Sequence, residues 1–477
     1  MLITPLVNRE PIAAPLELQV KKNGRSGRSL SATVSRAGRW AASQSWLLAA
    51  YKLMPMRIRQ GVSSTFGAHV QRSLGFERTA RWDEDVAFWR PEREPSAPSD
   101  DGIGVNLVGY FSGQFGLAES ARAYAKALID AGCPISLHEA DIDVPHSMGD
   151  RTMRSLMGAG ARHGVDIVFV NPDHFASALE RMPVGSRRPR IVGFWFWELA
   201  EVPRQWLPAI EAVDEIMVAT EFVADAFRAV TDKPVTTINY PLQIPISSRL
   251  ARSDFGIPEN AYAFLCTFDF NSAIERKNPM AVVRAFRAAF ASGRDDFFLM
   301  IKSSNGGRQP DQLRRLLDEI GDDQRIQVRD DVIEGHHLHA LQHACDAYVS
   351  LHRAEGLGLG MAESMRIGKP VVATGWSGNM AFMNERNSLL VDYTLTQVEA
   401  GQYPNATGML WAEPNLDSAA SLMRKLADDR EWGRNIGRRA AVDIAETLSP
   451  ARSADAMMRW LTTVDTSGVH PHGQQQS

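Results

Sequence analysis

The sequence predicts an α/β protein made of two doubly wound, parallel-sheet halves. Three observations lead there. Apolar strands alternate with amphipathic helices from Gly104 onward. The alternation breaks between Pro241 and Pro258 and then starts again. In each half an apolar strand runs into a turn and then a helix, the arrangement that places ligands at the C-terminal edge of a parallel sheet.

Composition sets the outer bounds. A chain of 477 residues suits two ordinary domains plus an extension. With 44% hydrophobic and 23% charged residues it reads as a soluble globular protein. Cys133, Cys266 and Cys345 are far apart and odd in number, which argues against a disulfide framework or a zinc site and for small apolar packing in a reducing compartment. A net charge of −4 gives no reason to invoke nucleic acid. No run approaches the roughly twenty apolar residues of a spanning helix, and the start lacks a secretory pattern. The expected location is cytoplasmic.

Residues 1–100 read as a basic extension and linker, ending in the proline-rich run Pro91 to Asp100. Between Leu18 and Phe76 there is no Asp or Glu, but ten Lys and Arg residues. Trp40, Trp46, Leu47, Tyr51 and Met54 fall near helical spacing inside it. A basic helix with such a face is a candidate for peripheral contact with the inner face of an anionic membrane.

Residues 101–245 form the first half. Val105 to Phe111 reads as a buried strand, Ser112 to Gly116 as a glycine turn and Leu117 to Ala131 as a helix. Strands follow at 165–170, 190–195, 215–218 and 235–239. Residues 246–445 form the second half, with strands at 262–268, 297–301, 326–328, 346–352, 371–374 and 389–391. Residues 446–477 hold a last helix and a polar tail.

The stretch Leu351 to Asn379 is the most informative. An apolar strand meets a glycine turn at Gly356, Gly358 and Gly360, then a helix to Ile367, a second strand and a second turn, Thr374-Gly-Trp-Ser-Gly-Asn379. Glycines let backbone approach an anion, and a helix N-terminus offers it unpaired N–H groups. Glu355 and Glu363 flank the turn, and ionised carboxylates accept hydrogen bonds from hydroxyls. Phosphate in the middle with hydroxyls on either side describes a nucleotide sugar. Lys277, after the first strand of the second half, is a basic residue at a strand's C-terminal end, which points into the ligand crevice. Lys302 follows the strand 297–301 at a similar edge and is a weaker candidate for ligand contact. His174 and Asp173 follow a strand end in the first half, and an imidazole can move a proton near neutral pH. Glu198 is a further cleft candidate. The acid pairs Asp322-Asp323, Asp330-Asp331 and Asp428-Asp429 read as solvated turns, not a metal site.

Glu355 and Glu363, with seven residues between them, resemble the E-x7-E signature of retaining glycosyltransferases of the GT-B fold, in particular family 4. The resemblance covers roughly Gly104 to Val464. It implies two Rossmann-like domains facing across a cleft, the nucleotide sugar on the second and the acceptor on the first. Glu355 would then contact the transferred sugar and Glu363 the ribose. Lys277 would clamp the pyrophosphate, and Gly358, Leu359 and Gly360 would give it backbone N–H groups. Gly378 and Asn379 would wall the pocket, and the turn at Gly116 would lie near the donor phosphate and the acceptor. Many such enzymes carry an Arg six residues before the Lys. Here Asn271 stands there, with Arg276 as the nearest substitute.

The activity implied is retaining transfer of a hexose, of mannose or glucose type with GDP-mannose mildly preferred, to a glycan or lipid-linked acceptor in surface polysaccharide assembly. No metal or other cofactor is expected. The competing reading is a non-catalytic scaffold of a polysaccharide assembly complex.

Overall fold

The computed structural model describes residues 74–84, 104–144, 146–158, 163–182, 190–244, 248–291 and 293–464. Most of the basic stretch 18–76 and the polar tail therefore lie outside the described residues.

Two six-stranded sheets carry the fold, and every pairing in them is parallel. The first contains β1 (Val105–Gly109), β2 (Ile135–Glu139), β3 (Val165–Phe169), β4 (Arg190–Phe194), β5 (Glu215–Val218) and β6 (Val235–Thr237). Its order is β2-β1-β3-β4-β5-β6. The second contains β7 (Tyr262–Asp269), β8 (Phe297–Ser304), β9 (Ile326–Asp330), β10 (Ala347–Ser350), β11 (Val371–Thr374) and β12 (Leu389–Val391), in the order β12-β11-β10-β7-β8-β9. Helices cover the faces, so β1 and β3 are buried along their whole length.

In each sheet the order reverses once. The reversal falls between β1 and β3 in the first and between β7 and β10 in the second. Open parallel sheets bind ligands in the crevice outside the C-terminal ends of the strands that flank this point. Residues 110–116 follow β1 and residues 170–173 follow β3. Residues 270–277 follow β7, and residues 351–360 follow β10. These are the segments in which the sequence concentrates its candidate residues.

Several features differ from expectation. The edge strand β2 was not foreseen, because Ile135-Ser-Leu-His-Glu139 is short and mixed in polarity. A helix covers Gly335–Ala344, and an antiparallel hairpin, β13 (Tyr393–Gln397) with β14 (Leu410–Pro414), follows β12. Residues 74–84 of the extension are packed against the second half. Trp82 is 3% exposed, with its ring 5.4 Å from Phe255 of the second half and 4.9 Å from His337. The helix Arg430–Thr447 runs through the expected boundary at residue 445. The last helix, Pro450–Thr463, lies against the first half, where Trp460 Nε1 donates to Glu215 at 2.8 Å and Ser453 Oγ to the Asn239 carbonyl at 2.6 Å. Ser453→Ala should cost about 0.5–1.5 kcal/mol, the worth of one such bond, seen as a lower urea midpoint.

The three cysteines are buried and unpaired. Among the described residues no helix is long and apolar enough to cross a membrane.

Candidate active site

At the switch point of the second sheet, β10 ends at Ser350 and the chain turns through Glu355 into the helix Leu359–Arg366. Gly358 precedes this helix with φ of 91°, a backbone state open to glycine and strained for other residues. Gly356 makes a different demand. A Cβ there would lie 2.5 Å from the Trp197 carbonyl oxygen, so the turn can touch the first half only because it has no side chain. Thr220 Oγ1, also from the first half, donates to the Gly356 carbonyl at 3.0 Å.

Glu355 is the centre of a buried charge cluster. Its carboxylate receives Lys277 Nζ at 2.5 Å and Arg276 Nη1 at 3.2 Å, with the side chain 9% exposed. Burial acts to raise its pKa. Lys277 and Arg276 outweigh burial and hold the carboxyl at about 2, so it stays ionised across the working pH range. The backbone on each side is fixed as well. Glu355 N–H donates to Ser377 Oγ and the Gly378 N–H donates to the Glu355 carbonyl, both at 2.8 Å. His352 is fully buried, with Nδ1 3.0 Å from Ser350 Oγ and Nε2 3.2 Å from Asn379 Oδ1. Burial lowers its pKa against the pull of Glu355 and favours the neutral ring.

Arg276, the expected substitute for the arginine absent at Asn271, is already paired with two carboxylates. The guanidinium is buried, donates to the Ala354 carbonyl at 2.9 Å and lies 3.5 Å from Glu198 Oε1 of the first half. Burial opposes its charge, but Glu198 and Glu355 outweigh it and keep the group protonated. Arg276 therefore ties the Glu355 turn to the first half. Lys277, 22% exposed, retains donors beyond the one used on Glu355.

Glu363 lies on the helix Leu359–Arg366. It accepts from Gln342 Nε2 at 2.9 Å, and His339 Nε2 lies 3.5 Å from its other oxygen. Both partners come from the unforeseen helix Gly335–Ala344, whose four histidines mask its apolar period. Lys302 does not end its strand. β8 runs on to Ser304, and Lys302 is 8% exposed within it. Burial lowers its pKa against the opposing charges of Asp269, Asp330 and Asp331. Asp330 is itself buried and accepts from Ser303 Oγ at 2.9 Å and Gly306 N–H at 3.1 Å, so that acid pair is not a solvated turn. Asn379 is fully buried and bonds the Thr374 carbonyl at 3.1 Å, which makes it a brace for the turn and not an exposed wall.

In the first half, Gly116 opens the helix Gly116–Asp130 with empty space where a Cβ would lie. Arg122 on that helix is buried and donates to the carbonyls of Phe111 and Gly113 at 2.7 and 2.6 Å, which shapes the glycine turn. His174 is exposed and does not line the cavity between the halves. Asp173 does, with its carboxylate held by Trp206 Nε1 at 3.0 Å.

A cavity of about 240 Å³ lies between the halves, with Asn171, Asp173, Trp197 and Glu198 on one side and Asn271, Arg276 and Tyr403 on the other. Tyr403 was not foreseen. It sits in the loop between β13 and β14 and donates from its hydroxyl to Glu198 Oε2 at 2.7 Å. Its ring centroid is 5.8 Å from Arg276 Cζ. The bond joins residues 205 apart in sequence, a pairing that no local pattern announces.

Residues 264–400 match the family model for glycosyl transferases, group 1. The matched segment lies in the second half, and the two facing parallel sheets have the GT-B architecture. Among solved structures, the sucrose-phosphate synthase of Thermosynechococcus elongatus aligns at 14% identity over 75% of this chain and 98% of its own, with a TM-score of 0.55. HepE of Anabaena, solved with UDP and glucose, aligns at 13% identity over 76% and 100%, with a TM-score of 0.52. A glycosyltransferase from Rickettsia africae aligns at 12% over 75% and 98%, with a TM-score of 0.52. At these identities the likeness is one of fold. The chain spans 57% of the length of TarM from S. aureus, which it also matches at a TM-score of 0.48. No curated protein sequence matches it.

Proposed function

We propose that the protein transfers a hexose, with retention of configuration, from a nucleoside diphosphate sugar to a glycan or lipid-linked acceptor. The observation that carries this reading is the ionised Glu355 at the switch point, with Lys277 beside it and a glycine-rich helix start next along the chain. In this reading the backbone N–H groups of Gly358, Leu359 and Gly360 and the ammonium of Lys277 meet the diphosphate. They offset the charge that grows on it as the glycosidic bond breaks, without a metal ion. The leaving phosphate oxygen takes the proton of the acceptor hydroxyl on the same face of the sugar. Glu355 accepts hydrogen bonds from the sugar hydroxyls. Glu363, steadied by Gln342, keeps lone pairs for the ribose. The setting would be surface polysaccharide assembly at the cytoplasmic face of the plasma membrane, with the basic stretch 18–76 against anionic lipid. GDP-mannose is the first donor to try.

Thermal shift against GDP, UDP and ADP, each free and as its hexose forms, tests the reading. A binder stabilises with the logarithm of its concentration over its dissociation constant. One nucleotide standing out supports it, and a flat panel counts against it. Glu363→Ala should then raise the dissociation constant of that nucleotide roughly ten- to hundredfold, from the ~1.5–3 kcal/mol of a hydrogen bond to a charged group. Unchanged affinity would remove Glu363 from the donor site.

A further inference from the structure

The cavity between the halves is walled in part by the hairpin β13–β14, whose loop supplies Tyr403, Pro404 and Asn405. This loop belongs to the second half, yet Tyr403 is bonded to Glu198 of the first. We propose that the cavity takes one neutral sugar ring of the acceptor, and that Tyr403, Glu198 and Asn405 decide which ring fits. The word acceptor rests on the glycosyl-transfer reading above.

Three features select a sugar over other ligands. The first is charge. Arg276 is the cation in the lining, and it already faces Glu198 at 3.5 Å and Glu355 at 3.2 Å. Asp173 adds a further negative charge to the same lining. A phosphate or carboxylate would meet a cation already faced by two carboxylates, with a third carboxylate in the same lining. The second is polarity. Asp173 accepts from Trp206 Nε1 and Glu198 from Tyr403 Oη, with Arg276 facing the other Glu198 oxygen, and a carboxylate accepts more bonds than these. An alkyl chain would strip water from these groups and give nothing back, whereas a ring with several hydroxyls would satisfy them. The third is size and wall chemistry. About 240 Å³ is below the roughly 300–1,000 Å³ of sites for drug-sized ligands, which suits a single ring. Trp197 and Tyr403 give the lining an apolar, aromatic part beside its acceptors. A site built to bond particular hydroxyls rejects analogues that lack them, so these residues would act on acceptor choice.

The test uses the full chain and saturation-transfer NMR with methyl α-glucoside, methyl α-mannoside, methyl β-galactoside, glycerol phosphate and an octyl alcohol. Tyr403→Phe removes only the hydroxyl. Asn405→Gly removes an exposed side chain at φ of 56°, where glycine is at ease. At least one methyl hexoside should bind, and its dissociation constant should rise fivefold or more in both variants. The proposal is overturned if no hexoside binds, if glycerol phosphate or the alcohol binds better, or if both variants bind as the wild type does. Nucleotide thermal shifts on the same preparations report on the donor site separately. A lost nucleotide response sinks the transfer reading, and the hexoside result still decides whether the cavity holds sugar.

Discussion

Glu355→Gln is expected to destabilise the protein by about 3–5 kcal/mol and to abolish transfer. The stability figure is that of breaking a buried charge pair by removing one partner. Here the loss is shared by two cations. Lys277 loses a 2.5 Å partner, and the buried Arg276 keeps only Glu198 against its charge. Urea denaturation would show a lower midpoint at unchanged slope. Two further measurements separate this cause from generic damage. The first is pH. The folded carboxyl lies at about 2, below the ordinary value of 4.5. A depressed pKa stabilises fully above the unfolded value and loses that stabilisation as pH falls toward the folded one. The gap between wild type and variant should therefore be full near neutrality and narrow from about pH 4.5 downward. The second is the double variant with Lys277→Met, which removes one of the stranded cations. It should be more stable than Glu355→Gln alone, since uncompensated buried charge costs more than an apolar replacement. For function, the expected loss is about 100-fold or more in turnover, the scale of removing one preorganised electrostatic contact. Free nucleoside diphosphate should still bind. A variant that keeps wild-type stability would show that the cluster is not the electrostatic centre of the site.

The fold was largely legible because buried parallel strands are written as short apolar runs. Val165–Phe169 and Val371–Thr374 are buried at every position, and both stand out in the chain. The hairpin β13–β14 was missed although Tyr393-Thr-Leu-Thr-Gln397 alternates as a strand should. Its partner lies a dozen residues on, past a loop that reads as polar surface. Glu355, Lys277 and the glycine turn stand out as candidates in the chain because spacing and turn chemistry are local properties, and the structure brings Glu355 and Lys277 together. The role of Arg276 does not stand out. Whether a cation faces a ligand or a buried carboxylate depends on Glu198, which arrives from the other sheet. The same limit hid Tyr403 and the Gln342 brace on Glu363. Sequence displays which groups could do chemistry, and tertiary pairing decides which of them are already occupied.

Gly378→Ala is the second large effect expected, and it reaches Glu355 without touching its side chain. A methyl at position 378 would lie 2.0 Å from the Gly356 carbonyl oxygen and 2.8 Å from that of Glu355. Both are backbone atoms, so no side-chain rotation relieves the contact. The turn they belong to is gripped on several sides, by Ser377 and Gly378 from the second turn and by Thr220 from the first half. Either the turn at 355–356 shifts, breaking those bonds and drawing Glu355 away from Lys277, or the turn at 377–379 does. Overpacking of this kind costs about 1–3 kcal/mol, and the displaced carboxylate adds to it. The variant should lose transfer as fully as Glu355→Gln while retaining every charged group. Gly116→Ala is the matched control, because a Cβ there meets nothing within 4 Å and the residue begins a helix. It should leave the urea midpoint unchanged or slightly raised. Equal urea midpoints of the two alanine variants would mean that the 377–379 turn does not hold Glu355 in place. The precision of the cluster would then have to come from the charges alone.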